Sequence, residues 1–327
     1  MKVIQAKSAG FCYGVQRAVE LAEQTARERG GCVMLGSIIH NAHVVQHLEQ
    51  LGAHQVAGPE EIRPGDTVLI RAHGEKKQVI GHLKDIGAEC VDATCPNVLR
   101  VQQIVAQADA EGRIPIIIGD PNHPEVMGVA SWSARSVVFE GAETLQRWLD
   151  EDPARRELPL TAVAQTTCIR IIWDGAAEIL KKQCTNAKIF DTICNATHKR
   201  QSEAAELASQ VDVMVVVGDR KSANTKHLTE ICSRQCPAVY QIERAEELKR
   251  DFLTGCSVAG LTAGASTPAG IIKEVYTTMS EEIKTMEPTE ESFEEMLEKS
   301  FKTLNTGEKV TGIVTAVGPT EVQVDLG

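Results

Sequence analysis

The chain has 327 residues, 43% hydrophobic and 24% charged, an ordinary globular composition with length for two or three domains. A formal net charge of −11 argues against non-specific nucleic-acid binding, and no window approaches the roughly eighteen apolar residues of a membrane span. Ten cysteines are too few for a disulfide scaffold, and the opening MKVIQAKSAGFCYG lacks the apolar run of a secretion signal. A cytoplasmic protein is expected, its thiols serving catalysis, metal binding or packing.

In chain order, the first feature is Cys12 in SAGFCYGVQRAVELAEQ, a cysteine directly ahead of a helical pattern. The apolar run CVMLG follows and ends at Gly36, with His40 four residues beyond; TVLIRAHG is a second strand pattern, carrying His73 past its end. At VDATCPNVLRVQQIVAQ the order begins again. Cys95 leads a helix, IPIIIG ends at Gly119, His123 stands in DPNHPEVMG, and TAVAQTT brings Thr166. FDTICNATHKRQSEAAELA opens a third round with Cys194, followed by VMVVVG to Gly218, then Ser222, then SVAGLTAGAS with Ser266.

Short apolar runs ending in glycine read as buried parallel strands. Cys12 to Gly36, Cys95 to Gly119 and Cys194 to Gly218 each span 24 residues, whereas His73, Thr166 and Ser266 follow their cysteines by 61, 71 and 72. Every α/β protein alternates strands and helices, but alternation alone does not hold a cysteine, a glycine and a polar residue in fixed register. The sequence therefore predicts an α/β fold: a body over 1–280 made of three pseudo-threefold units, about 12–94, 95–193 and 194–280. Residues 281–304 are acidic and helical, and read as a linker.

The end of the chain, 305–327, reads as two alternating strands turning at Gly318–Pro319. It resembles the start of a ribosomal S-one-type OB domain, which needs five strands. With two strands and no aromatic stacking platform, RNA binding through this segment is not expected.

Ligands of α/β sheets gather at the carboxyl ends of the strands. Three units pointing those ends at one centre would converge Cys12, Cys95 and Cys194, each at a helix N-terminus that favours a thiolate. Three thiolates with no fourth in register match an iron–sulfur cluster with one open iron, able to act as a Lewis acid. Zinc competes, since three thiolates and an open position also suit it, but the short C-x-x-C spacings usual for zinc are absent. Cys232 and Cys236 have i, i+4 helical spacing outside the register and read as packing; Cys32, Cys90, Cys168, Cys184 and Cys256 lie near apolar runs and read as core.

His40, His73, His123, Ser222, Asn224 and Ser266 are donors that could cradle a phosphate or diphosphate in an acidic protein. His43, His47, His54, His82, His198 and His227 lack this register and read as structural or surface. Glu125 has no acidic counterpart: the equivalent positions are Ala42 and Asn224. An acid that breaks the symmetry is the candidate proton donor.

The segments GFCYGVQRA, IHN, RAHG, DATCP, NHPEV, QTT, DTIC, KSANT and TAGAS, in this order, resemble the 4-hydroxy-3-methylbut-2-enyl diphosphate reductase (LytB) family over residues 1 to about 280. The resemblance implies a trefoil around a 4Fe–4S cluster on Cys12, Cys95 and Cys194. It implies that the open iron takes the substrate hydroxyl, and that the diphosphate contacts His40, His73, His123, Ser222, Asn224 and Ser266. Glu125 would deliver protons and Thr166 would hold a water or the hydroxyl, giving isopentenyl and dimethylallyl diphosphates. Electrons would come from a donor protein such as ferredoxin or flavodoxin. The family's phosphate loop commonly reads Ser-Ser-Asn; here Ala223 stands between Ser222 and Asn224, so one hydroxyl is lost while a backbone N–H can serve.

Two other readings differ in class. A quinolinate-synthase-like dehydratase also joins three α/β units around a three-cysteine cluster, but fits the HPE, SxN and TAGAS segments poorly. An RNA-binding, ribosome-associated role through the C-terminal segment conflicts with the net acidity.

Overall fold

The computed structural model describes residues 2–286 and the strand residues 313–317 and 322–325, with side chains described through residue 282. The chain opens on β1 (Lys2–Gln5) and α1 (Tyr13–Arg29), then runs through β2 (Cys32–Leu35), α2 (Ala42–Gln50), β3 (Ala53–Val56), β4 (Thr67–Ile70), α3 (Lys77–Asp85) and β5 (Glu89–Asp92). The second round comprises α4 (Pro96–Ala110), β6 (Ile114–Ile118), α5 (Pro124–Ala130), β7 (Val137–Phe139), α6 (Ala142–Glu151), β8 (Leu160–Ala164), α7 (Arg170–Gln183) and β9 (Ala187–Ile189). The third has α8 (Asn195–Ala208), β10 (Val213–Val217), α9 (Ala223–Ser233), β11 (Val239–Ile242), β12 (Val258–Ala263) and α10 (Ala269–Met286).

These strands form three parallel four-stranded sheets, ordered β3-β2-β4-β5, β7-β6-β8-β9 and β11-β10-β12-β1. The order repeats because each unit's first and third strands pair at its centre, as in the register Ile116↔Ala162 and Val215↔Leu261. The third unit has only three strands after Cys194. Its fourth is β1, paired with β12 from Lys2↔Val258 to Gln5↔Leu261. The first residues of the chain thus close the last unit, which the internal repeat did not reveal.

Central strands are covered on both faces, which explains their unbroken apolar runs. All five residues of β10 are buried, and the cysteine-led helix of each unit lies against its own sheet. Ala18 and Ala22 of α1 pack with Met34, Val98 and Val101 of α4 with Ile117, and Ala204 and Leu207 of α8 with Val216. Each Val or Ile so removed from water contributes roughly 1.5–3 kcal/mol. The glycines ending β2 and β6 have different reasons. Gly36 turns through φ 70°, which side chains disfavour, whereas at Gly119 a Cβ would come within 2.7 Å of Gln165.

Two compact units divide the chain, Met1–Ile283 and Lys284–Gly327. In the second, β13 (Ile313–Val317) and β14 (Val322–Asp325) pair antiparallel, in line with the two expected strands. Residues 287–304, most of the expected acidic linker, and the remainder of the OB-type segment lie outside the described residues. One expectation is corrected: Cys232 and Cys236 do not share a helix, because α9 ends at Ser233; both are nevertheless buried in one apolar cluster.

Candidate active site

Each of the three register cysteines is a helix N-cap: Cys12 of α1, Cys95 of α4 and Cys194 of α8. No side chain caps these helices, so first-turn N–H groups and the positive end of the dipole are left toward the thiol. One repeated backbone bond fixes all three: the N–H of Cys12 donates to Ala265 (3.3 Å), that of Cys95 to Ala72 (3.0 Å) and that of Cys194 to Thr166 (3.0 Å). The chain leaving each edge strand is thereby tied to the chain leaving the neighbouring central strand.

This bond aligns the units better than the unequal offsets did. Ala72, Thr166 and Ala265 are counterparts, so His73 and Ser266 correspond to Thr167, one residue beyond the threonine singled out by sequence. A one-residue difference also occurs after β2. His123 and Ser222 are N-caps of α5 and α9, but α2 is capped by Asn41, whose side chain accepts from Val44 N–H at 3.1 Å, and His40 precedes the cap.

The thiols approach across unit boundaries. A Cβ on Gly14 of α1 would lie 2.5 Å from Cys95 Sγ, and Asn97 Nδ2 of α4 donates to Cys194 Sγ at 3.2 Å. Burial pushes the Cys95 thiol up from its ordinary pKa; the backbone N–H groups of Asn97 and Val98 oppose this, and the Cys12 and Cys194 thiols add to it. Three thiolates so placed repel one another, and a metal centre would supply the missing positive charge.

All three cysteines line one cavity of about 740 Å³, open mouth included, together with His40, His73, His123, Glu125, Thr166, Ser222, Ala223, Asn224 and Ser266. Every residue predicted from the sequence is therefore brought to one place. The three imidazoles cluster with ring centroids 4.7, 5.4 and 6.2 Å apart, their nearest ring nitrogens within 4.8 Å of one another. Burial lowers the pKa of all three: His40 below its usual value, with Arg71, Lys221 and Lys226 adding to the drop against the carboxylate of Asp219; His73 well below it and His123 to about 4, both with neighbouring imidazoles adding to the drop. At neutral pH these imidazoles are therefore neutral. His123 Nδ1 accepts from Glu125 N–H at 3.1 Å, which leaves its proton on Nε2.

His40 Nε2, His73 Nδ1, both amide atoms of Asn224 and Ser266 Oγ are buried without a hydrogen-bond partner. Buried polar groups are costly when unsatisfied, so this array is built for a ligand rich in hydrogen-bond acceptors. The donor set includes the N-terminus of α9, where Ser222 and Asn224 sit. The three imidazoles could also hold a divalent metal ion, but the adjoining amide and hydroxyl orphans extend the site beyond what one ion needs.

Glu125 is the second residue of α5 and only 2% exposed. Its carboxylate accepts from Thr166 N–H at 2.6 Å and from Thr166 Oγ1 at 2.8 Å. Burial outweighs both bonds and raises its pKa to about 7, so near neutral pH it exists both as acid and as base. Sequence reasoning missed Gly14, Asn97, Thr167 and Arg200, which also line the cavity. For Thr167 and Arg200 the signal was present in the register; Gly14 and Asn97 act through contacts between units, which a repeat cannot show.

The LytB protein family profile matches residues 3–280. The chain belongs to the LytB family. Among its LytB relatives, the 4-hydroxy-3-methylbut-2-enyl diphosphate reductase of Caldanaerobacter subterraneus is 39% identical over 297 residues, covering 89% of this chain and all of that protein. The reductase of Clostridium perfringens is 40% identical over 284 residues, covering 85% of this chain and 98% of that one. A solved (E)-4-hydroxy-3-methyl-but-2-enyl diphosphate reductase, the terminal enzyme of the non-mevalonate pathway, is 38% identical with a TM-score of 0.62 over 86% of this chain and all of that one. The Plasmodium falciparum reductase structure is 26% identical with a TM-score of 0.80, over 84% and 87%. Among the described residues no helix of this LytB chain is long and apolar enough to cross a membrane.

Proposed function

We propose that the cavity performs the family's reaction, the reductive dehydroxylation of (E)-4-hydroxy-3-methylbut-2-enyl diphosphate. The allylic C–O bond breaks, two electrons and two protons are taken up, and water leaves with isopentenyl or dimethylallyl diphosphate. The observation that carries this reading is the convergence, in one cavity, of three N-cap cysteines, a ring of buried unpartnered donors and one buried acid.

The residues fit a 4Fe–4S cluster. Cys12, Cys95 and Cys194 would hold it, each at a helix N-terminus, and no fourth cysteine lines the cavity. When bound, the cluster supplies single-electron transfer and a Lewis-acidic iron. The diphosphate is taken by His40, His73, His123, Ser222, Asn224 and Ser266, with the backbone N–H of Ala223 in the loop. Glu125 holds the proton needed by the leaving oxygen, and Thr166, bonded to both carboxylate oxygens, fixes its direction.

Electrons come from a small one-electron protein such as ferredoxin or flavodoxin. A reducing, cytoplasmic setting suits a chain whose ten cysteines are all free thiols. Within the body the three units divide near 12–94, 95–193 and 194–280, the last completed by β1. The hairpin of β13 and β14 is the start of an OB-type segment after an acidic linker, and RNA is not its ligand.

The test is anaerobic reconstitution with iron and sulfide, followed by assay with a reduced viologen and the allylic diphosphate. Formation of both five-carbon diphosphates is expected. Iron-loaded protein that consumes no substrate would overturn the reading.

A further inference from the structure

Arg200 lies six residues after Cys194, and the residues six after Cys12 and Cys95 are Ala18 and Val101. Those two are 0% and 1% exposed core residues, whereas Arg200 is a cation that is 3% exposed. A buried guanidinium is costly unless a charge or a full set of acceptors meets it. Its Nε donates to Ser8 O at 3.0 Å and its Nη2 to Gly10 O at 2.7 Å, both in the loop leading to Cys12. Nη1 is buried without a partner, and the residue lines the cysteine cavity. The carboxylate of Glu203, which also acts on Arg200, accepts from the N–H groups of Lys7 and Ser8.

We propose that Arg200 is a positioning residue for the metal centre: it clamps the Cys12 loop to the Cys194 helix and turns its unpartnered Nη1 and its charge toward the centre's sulfurs. The proposal rests on the reading of the cysteine site as an iron–sulfur site. The three thiolates and their cluster supply the counter-charge that the protein fold withholds, and Cys12 and Cys194 are the anionic groups that act most strongly on the buried guanidinium. A fixed positive charge beside a cluster favours its reduced, more negative state and so raises its potential. At this register position only the third unit carries a buried charge.

The test compares Arg200→Gln with Arg200→Lys in the full chain, loaded anaerobically, by iron content and by redox titration followed by electron paramagnetic resonance. In Arg200→Gln the reduced-to-oxidised ratio at a fixed donor potential should fall about tenfold, a midpoint drop of about 59 mV for one electron. Arg200→Lys should keep most of the wild-type potential. Loss of iron in Arg200→Gln but not in Arg200→Lys would also support the role of the charge. Wild-type potentials in both variants, equal drops in both, or equal loss of iron from both folded variants would overturn it. Wild-type protein that binds no iron would instead overturn the cluster reading itself.

Discussion

Replacing Glu125 with Gln separates what this residue costs the fold from what it supplies to chemistry. In the unfolded chain its carboxyl ionises near 4.5; in the folded protein burial holds the proton to about 7. The stability this group contributes is therefore fully present below pH 4.5 and is lost as pH rises through about 7. At about 1.36 kcal/mol for each pH unit, the loss is roughly 3 kcal/mol by pH 8. Gln cannot ionise, and its amide can copy the protonated acid, accepting from Thr166 N–H and donating to Thr166 Oγ1. The folding free energy of Glu125→Gln should match wild type near pH 4.5 and exceed it by roughly 3 kcal/mol at pH 8. Urea titrations of reduced, iron-free protein across this range measure the difference. His123, whose pKa falls to about 4, slopes the other way in both proteins and cancels in the comparison. Turnover by the iron-loaded variant should fall by about 10²–10⁴-fold with substrate affinity little changed. A stability difference that does not vary with pH would refute the buried-acid argument, and near-normal turnover would remove Glu125 from the chemistry.

Gly14→Ala places a methyl 2.5 Å from Cys95 Sγ in the helix ahead of it, so iron per chain should drop sharply while the circular dichroism of the fold persists; unchanged iron would contradict the close approach. Cys95→Ser should abolish iron binding because a neutral hydroxyl is a poor iron ligand, whereas Cys232→Ser, in the apolar core, should cost stability and leave iron content alone. Substrate should bind with net proton uptake near neutral pH, because a diphosphate favours protonation of imidazoles that burial otherwise holds neutral. Calorimetry in two buffers of different ionisation enthalpy reads this uptake, and none at all would count against the histidine cradle.

The fold was legible because the first strand after each cysteine, β2, β6 or β10, is a buried apolar run ended by glycine, and each cysteine precedes a helix with one apolar face. Those signals are local. Closure of the third sheet by β1 was not legible, since KVIQ carries no mark of the distant strand it joins. The site was legible as a repeat of residue types, and its symmetry breaker Glu125 stood out against Ala42 and Asn224. Arg200 breaks the same symmetry against Ala18 and Val101, but an arginine in a helix reads as solvated until its burial is known. Thr167 stands 72 residues after Cys95, as Ser266 does after Cys194, but the shorter first unit, with His73 at 61, obscures the match until the cysteine N–H bonds align all three.

Cys12, Cys95 and Cys194 are proposed to hold an iron–sulfur cluster in the same cavity as the residues that would cradle the diphosphate. The most direct test is the Mössbauer spectrum of protein loaded with iron-57, recorded with and without the allylic diphosphate. Cluster iron is expected in which one site changes its isomer shift on substrate addition while the others stay as they were. A spectrum without cluster iron, or one in which substrate leaves every site unchanged, would contradict it.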